Sequence, residues 1–466
     1  MKKSIRILGT FLLGILITSF VFHSYVIKNV KTSSYNSNVD TYMHFSKASE
    51  NKVHIDSKIS FDSEADLLIL LKDFSYINRI KSLLHEQGIT ILHEYKSAPL
   101  LLVKGYAYRI ISTLSKLDFV KGIYANVRFY PKFQRRTSNY ISILQENKTT
   151  AFTSELIGAK QLWELGITGK SVRVAVIDTG IYAAHPDLKW PNGTSKVVMA
   201  KSFVTEEYGF PVNENESDLI GHGTAVAGII AGTGRANPDI GIGMAPDAIL
   251  INAKVISGTL EYGTLAAVLA GMEWAVIDAK ADVINLSLGG AEIWGDPTYA
   301  VVERLVKDYG AVIVAAAGNE GDGGKASMSV GSPGSVYHVI CVGAVDYDGS
   351  SLAPYSSVGP TIYGYVKPDV VAPSNIYVIT PEGYSSETWW GTSFSSPHVA
   401  GISALLVQYL KSKGVDYQRI PGFVKAALML TAKKDISNYD ALASVSYTHL
   451  RAHETSLHLV CRLLLE

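Results

Sequence analysis

Five short apolar runs, "VRVAVID", "ILINAKVI", "DVINLSL", "AVIVAAAG" and "VICVGAV", constrain this chain more than any other feature. Valine, isoleucine and alanine follow one another in them, without the polar alternation of a strand that has one wet face. Strands of this kind are buried on both faces, which requires helices above and below a parallel sheet. The stretches between supply them: "TLAAVLAGMEWAVIDAK" and "YAVVERLVKDYG" carry apolar residues at helical spacing. From residue 171 onward the sequence therefore predicts an α/β domain with a mostly parallel central sheet.

Residues 59–133 carry a different pattern. "ADLLILLKD" reads as a strand, and "YINRIKSLLHEQG" as a helix with Ile77, Ile80, Leu83 and Leu84 on one face and Gly88 as its stop. "ITILHEY" and "LLLVKGY" read as strands, "YAYRIISTLSKL" as a second helix and "FVKGIYANVRFY" as a closing strand. The order βαββαβ predicts a small ferredoxin-like α+β unit. Polar sequence flanks it, as a linker at 28–58 and a second linker at 134–155 that leads into the large domain at 156–445.

Before the first linker, Lys2, Lys3 and Arg6 precede an apolar run that reaches residue 27, the pattern of an export signal. No small-x-small site marks a cut, and the run is long enough for one membrane span. A cleaved signal peptide and a retained anchor both stand for 1–27. The last stretch, 446–466, drops the earlier pattern and resembles translated sequencing-adapter DNA, so it is excluded from fold reasoning. Lys plus Arg and Asp plus Glu are equal at 42 each, and such a balance points to no nucleic-acid partner. With 2 cysteines, Cys341 in a buried type of strand and Cys461 in the tail, a disulfide framework is not expected.

Three polar stations interrupt the apolar text. "VAVIDTGI" closes a strand with Asp178. Reacting groups gather at the carboxyl ends of strands in open α/β sheets, although an Asp there is also an ordinary turn former. "GHGTAVAGIIAG" sets His222 between glycines before a small-residue helix, either as a helix-starting residue or as a proton carrier. "GTSFSSPHVAG" precedes the apolar "ISALLVQYL", and its Thr392 and Ser393 fit a helix cap as well as a nucleophile. Together the three say more. A serine hydroxyl attacks when a base takes its proton; an imidazole takes and returns that proton, and a carboxylate holds the imidazole's tautomer. No G-x-G-x-x-G or G-x-x-x-x-G-K-[ST] opens a helix after a strand, which excludes a nucleotide-binding reading.

With "HPDL", "GMAP", "NLSLGG", "AAAGNEG" and "KPDVVAP" in order among them, these segments resemble the subtilisin-like serine proteases (subtilases) over residues 156–442. The resemblance implies a subtilisin-like three-layer fold and a serine endopeptidase that works through an acyl-enzyme, with no cofactor for catalysis. It implies Asp178, His222 and Ser393 as a triad. Asn319 matches the family's oxyanion donor, acting with the Ser393 N–H on charge at the scissile carbonyl. Ser287, Leu288 and Gly289 match the strand that pairs with substrate backbone, and Gly263 the facing strand. Gly318 and Gly331 match the walls and floor of the primary specificity pocket, and Glu320 is expected to favour basic side chains near the cut.

The unit at 59–133 resembles the family's propeptide. That implies a zymogen whose inhibitor domain covers the active site with its final strand, leaves its C-terminal segment in the substrate groove beside residues 287–289 and is cut off by the protease itself, between about Phe133 and Glu155. The partners implied are peptide or protein substrates and the chain's own propeptide; the location implied is secreted, or anchored to the outer face of the cell membrane. Asp187 in "HPDL" matches a residue that binds structural calcium in many relatives, with "GRANPDIG" as a shortened partner loop; an Asp satisfied by protein donors is the alternative. Ala225 stands where the family usually has a second histidine, and Ser374 where glycine is usual. A catalytically inactive subtilase scaffold that binds peptides is the rival reading, against which the intact Asp178, His222, Asn319 and Ser393 argue.

Overall fold

The computed structural model describes residues 53–135, 148–321, 327–420 and 422–432. The export segment expected at 1–27, the first linker as far as residue 52 and the tail at 446–466 lie outside the described residues.

The first unit is built from β1 (His54–Ile55), β2 (Glu64–Leu71), β3 (Thr90–Glu94), β4 (Leu100–Tyr106) and β5 (Val120–Ala125), with helices α1 (Ile77–Glu86) and α2 (Ala107–Leu114). Its strands lie in the order β1-β5-β2-β4-β3, β1 pairing β5 in parallel and the other neighbours antiparallel. β2 is apolar on both faces because both are covered. Leu67, Ile69 and Leu71 pack with Ile80, Leu84, Ile110 and Leu114 of the two helices, while Leu68 and Leu70 enter a core shared with the larger domain. Two expectations change here. The unit already includes His54, inside the stretch read as linker, because β1 adds an edge strand beside β5. "FVKGIYANVRFY" is two strands: β5 stops at Ala125, and Asn126 is drawn across to the larger domain. Its Nδ2 donates to Tyr208 O at 3.2 Å and its Oδ1 accepts from the Ala266 N–H at 2.9 Å. The chain resumes as β6 (Arg128–Pro131) and β7 (Gln134–Arg135).

Helices α3 (Thr150–Ile157) and α4 (Ala159–Glu164) open the larger domain, and α3 begins inside the stretch read as the second linker. Thr149 caps α3, its hydroxyl accepting from the Phe152 N–H at 3.2 Å. Then come β8 (Arg173–Asp178), β9 (Val197–Ser202), α5 (His222–Ala231), β10 (Ile249–Lys254), β11 (Gly263–Thr264) and α6 (Leu265–Ile277). β12 (Val283–Leu286), β13 (Leu288–Gly289), α7 (Thr298–Lys307), β14 (Val312–Ala316), β15 (Ile340–Val345) and β16 (Val370–Pro373) follow. The described chain closes with β17 (Ile379–Thr380), β18 (Gly383–Tyr384), β19 (Trp389–Trp390), α8 (Thr392–Ser412) and α9 (Phe423–Thr431).

Seven strands form one sheet in the order β16-β15-β14-β12-β8-β10-β9, every neighbouring pair parallel. One face packs on α6 and α7, the other on α5, α8 and α9, which makes the fold a three-layer α/β sandwich. The five apolar runs supply its centre. The edge strands β9 and β16 were not among them for physical reasons: β9 is mostly exposed, and β16 is four residues ending in a proline. From β8 the chain adds β10 and β9 on one side and β12 onward on the other. The carboxyl end of β8 is therefore the point where strand order reverses, the place in such sheets where a crevice opens. Asp178 is the last residue of β8.

Candidate active site

Asp178 Oδ1 accepts from His222 Nδ1–H at 2.7 Å and from the Thr179 N–H at 2.7 Å, and both Asp178 and His222 are fully buried. His222 is the first residue of α5, whose opening N–H groups have no partner inside the helix. Asp218 answers them. Its Oδ1 accepts from the Gly221 N–H at 2.8 Å, and its Oδ2 from the Thr224 N–H at 2.9 Å and the Thr224 hydroxyl at 2.6 Å. A carboxylate at a helix N-terminus also matches the macrodipole, so Asp218 holds the turn from which His222 projects. Sequence reasoning missed Asp218; the available signal was an acidic residue in the polar stretch just before a helix.

Ser393 is the second residue of α8. Gly391 before it has φ +137°, and a side chain there would collide with the Lys132 carbonyl oxygen and with Asn319 Nδ2. Ser374, at a position where glycine was expected, binds Gly391 on both sides. Its hydroxyl bonds the Gly391 carbonyl and the Gly391 N–H, each at 3.0 Å. Asn319 Oδ1 accepts from the Thr392 N–H at 2.9 Å and the Thr392 hydroxyl at 3.0 Å, which orients the amide. Its Nδ2 is thereby left on the side of Gly391 where the Lys132 carbonyl lies.

Pro397 within α8 has no N–H for the carbonyl of Ser393, four residues back. The Ser287 hydroxyl donates to that carbonyl instead, at 2.8 Å. Asn285 Nδ2 donates to Ser287 Oγ at 2.9 Å and Ser396 Oγ donates to Asn285 Oδ1 at 2.8 Å, so the end of β12 is stitched to the start of α8. The Ser393 hydroxyl itself donates to Ser287 O at 2.8 Å. His222 Nε2 is buried and has no hydrogen-bond partner among the described residues. The structure thus joins Asp178 to His222 and turns Ser393 away from the imidazole, onto Ser287.

β6 lies antiparallel between β11 and β13, with Phe129 opposite Gly263, Tyr130 opposite Gly289 and Pro131 opposite Leu288. One residue on, the Lys132 N–H donates to Ser287 O at 3.3 Å, and the Lys132 carbonyl accepts from the Ser393 N–H at 3.3 Å. The Lys132 side chain passes Gly289, where a Cβ would sit 3.1 Å from its Cε, and its ammonium meets Glu320 Oε1 at 2.6 Å. The Phe133 ring lies 4.5 Å from the His222 ring, centroid to centroid, and 5.6 Å from Trp389. β7 then pairs antiparallel with β19. Gly263, Ser287, Leu288 and Gly289 therefore lie beside the chain's own β6 and Lys132, and Gly318 lies against the Glu320 carboxylate. A side chain at Gly331 would meet the Gly290 carbonyl oxygen at 2.5 Å, so the backbone packing there leaves room only for glycine. Of the two residues that occupy the site, Phe133 was named only as the start of the interval expected to be cut, and Lys132 was not singled out in the sequence.

Asp187 is fully buried, and both of its carboxylate oxygens face donors. Oδ1 accepts from the Ala236 N–H at 2.8 Å and Oδ2 from the Tyr384 hydroxyl at 2.7 Å. With one protein donor on each oxygen, Asp187 has the surroundings of the alternative reading, an Asp satisfied by protein donors. Burial, then the bond to Asp187, raises the Tyr384 phenol above its ordinary pKa and keeps the donor proton in place. Ala225, in place of a second histidine, is buried in an apolar cluster with Trp389 and Phe394. His398 is the other histidine of this region: burial pulls its pKa to about 4, against the bond it donates to Phe394 O at 2.6 Å. Burial also pushes the Cys341 thiol up to about 12, so it offers no nucleophile.

The sequence matches the Subtilase family over residues 169–449. It is 35% identical to the major intracellular serine protease of Bacillus subtilis over 257 residues, which cover 55% of this chain and 74% of that protein. It is 38% identical to subtilisin DY of Bacillus licheniformis over 264 residues, 56% of this chain and 85% of the relative. In fold it is similar to fervidolysin from Fervidobacterium pennivorans, a keratinolytic enzyme related to subtilisin. That likeness has a TM-score of 0.64 at 22% identity and covers 88% of this chain and 63% of that one.

Proposed function

This chain belongs to the subtilase family and is a serine endopeptidase, and on that premise we propose that Ser393 is its nucleophile, His222 its proton carrier and Asp178 the group that holds the imidazole. Rotation about χ1 carries the Ser393 hydroxyl from Ser287 O to the unpartnered His222 Nε2. Nε2 takes the proton as Oγ attacks the substrate carbonyl carbon, and the oxyanion forms between the Ser393 N–H and Asn319 Nδ2. The C–N bond breaks, Nε2 gives its proton to the leaving nitrogen, and an ester remains on Ser393. A water molecule then loses a proton to Nε2 and opens the ester, which releases the carboxylate product and returns the proton to Ser393. No cofactor takes part in this chemistry.

The protein is made as a zymogen, with the unit that ends at Lys132 as its propeptide and the Lys132–Phe133 bond as the bond it cuts in itself. This lies one residue upstream of the interval expected from the linker. The observation that carries the reading is the Lys132 carbonyl, which accepts from the Ser393 N–H at 3.3 Å while its strand is paired on both sides. Lys2, Lys3 and Arg6 before an apolar run support export, with the mature enzyme secreted or tethered to the outer face of the membrane. A fluorophosphonate probe tests the nucleophile. Mature protein made from the full chain is expected to carry one adduct, on Ser393; a folded, processed protein that takes none is the inactive scaffold.

A further inference from the structure

The self-docked strand shows what the site grips on each side of the bond. On the acyl side, the Lys132 stem runs through a slot that Gly289 leaves open, and its side chain is 16% exposed. Glu320 stands at the end of the slot with its carboxylate already aimed. Oε2 accepts from the Asn319 N–H at 2.9 Å and the Ser357 hydroxyl at 3.2 Å, which leaves Oε1 for the ammonium at 2.6 Å. A Cβ at Gly318 would come within 2.5 Å of Oε2, so glycine there makes the room that the carboxylate occupies. Glu320, Asn319, Ser357, Gly289 and Gly318 all belong to the protease domain rather than to the docked strand.

On the leaving side, the ring of Phe133 is met by three rings of the protease domain. His222 lies at 4.5 Å, Trp389 at 5.6 Å nearly parallel, and Phe394 at 6.1 Å edge-on. Trp389 and Phe394 also pack on each other at 5.9 Å, within an apolar cluster that includes Ala225, Ile229, Ile376 and Val378 of the protease domain. Offset and edge-on aromatic pairs add binding beyond the area they cover. Tyr130, two residues before Lys132, is by contrast exposed and gripped by its backbone alone.

We propose that this enzyme selects peptide bonds with lysine on the acyl side and an aromatic residue on the leaving side. Glu320 is the specificity-determining residue for the first, and Trp389 with Phe394 for the second. The proposal rests on the reading of Ser393 as the nucleophile. A carboxylate fixed by two donors gains a charge-assisted bond to lysine, and leucine in its place leaves a charge facing an apolar chain.

The probe is an internally quenched peptide, Phe-Tyr-Pro-Lys-Phe-Gln-Arg, the sequence of residues 129–135. Its hydrolysis by mature enzyme from the full chain is compared with that of peptides in which Leu or Glu replaces the lysine, or Ser replaces the second phenylalanine. Leucine is expected to lower kcat/KM about tenfold, since half-exposure of Glu320 screens the pair, and glutamate to lower it further. Serine after the cut is expected to cost about threefold to tenfold. Glu320→Gln is expected to bring the lysine-to-leucine ratio near one, and Glu320→Lys to put the glutamate peptide ahead of the lysine peptide. Trp389→Ala is expected to remove most of the phenylalanine-to-serine difference. Equal kcat/KM for lysine and leucine in the wild type, or a ratio that Glu320→Gln leaves unchanged, overturns the assignment of Glu320. A phenylalanine-to-serine ratio near one overturns the aromatic side. Fluorophosphonate titration of the same enzyme separates the levels of failure: labelled enzyme without these preferences overturns the specificity alone, whereas no label and no hydrolysis overturns the reading beneath it.

Discussion

At the scale of single residues, the site divides into groups that react and groups that hold. Ser393→Ala or His222→Ala is expected to lower turnover about 10⁶-fold, because members of one proton-transfer unit fail together. Asn319→Leu is expected to cost only about 10²–10³-fold, since one oxyanion donor is lost while the nucleophile and base remain. Single-turnover rates on one peptide measure all three, and equal, small losses would contradict the roles. Asp187 is a holding group. With an N–H and an O–H on its two oxygens, it needs no cation, so EDTA is expected to leave the unfolding midpoint where it is. Tyr384→Phe is expected to lower stability by about 1–3 kcal/mol, the cost of leaving a buried carboxylate oxygen without its donor. A midpoint that falls on chelation would show that calcium is bound there after all.

At the scale of elements, α8 brings together the proposed nucleophile, a proline that frees the Ser393 carbonyl and a histidine without charge. His398 is fully buried, donates from Nδ1 to Phe394 O and bonds Thr153 Oγ1 through Nε2 at 2.9 Å. Its folded pKa of about 4 lies below the ordinary 6.5, so between those values the unfolded chain binds the proton and the folded one does not. Its neutral burial thus costs nothing above pH 6.5, and stability falls as the pH drops from there towards 4. At about 1.4 kcal/mol per pKa unit the loss approaches about 3 kcal/mol. His398→Asn is expected to flatten denaturant stability over that range, and an unchanged slope would assign it to other groups. The centre of the sheet was legible because β8, β10, β12, β14 and β15 are buried on both faces and read as unbroken apolar text. β9 was not, since its mostly exposed surface leaves no such signature, and the break at Asn126 depends on partners far away in the chain. Asp178, His222, Asn319 and Ser393 were singled out through their motifs, and the structure brings Asp178 to His222 and Asn319 to the residue before Ser393. Ser374 was read only as a departure from glycine and Asp218 was missed, because what each holds becomes visible only when Gly391 and Thr224 are brought beside them.

At the scale of the whole molecule, the small unit and the protease domain share one core. Leu68, Leu70, Leu100, Leu102 and Phe129 pack with Leu265, Leu269 and Met272 of α6. Burying a side chain such as Phe129 stabilises the pair by about 1.5–3 kcal/mol. Glu273 of α6 anchors the contact, its Oε2 accepting from the Lys96 N–H at 2.7 Å, the Ser97 N–H at 2.6 Å and the Ser97 hydroxyl at 2.7 Å. Parallel sheets pair strands that are distant in sequence and form slowly, so a preformed surface against α6 is expected to speed folding. Glu273→Ala strips the acceptor from two N–H groups and is expected to weaken docking by about 3 kcal/mol, roughly 100-fold, with a matching fall in refolding yield. Unchanged yield and unchanged inhibition would make the contact incidental. The central claim is that the chain presents its own Lys132–Phe133 bond to Ser393. Intact-mass and N-terminal analysis of freshly purified full-length precursor, followed over time and across dilutions, tests it most directly. The account predicts that the first two products end at Lys132 and begin at Phe133, at a rate independent of concentration, and that Ser393→Ala stays whole. A first cut at another bond, or a serine variant trimmed like the wild type, would contradict it.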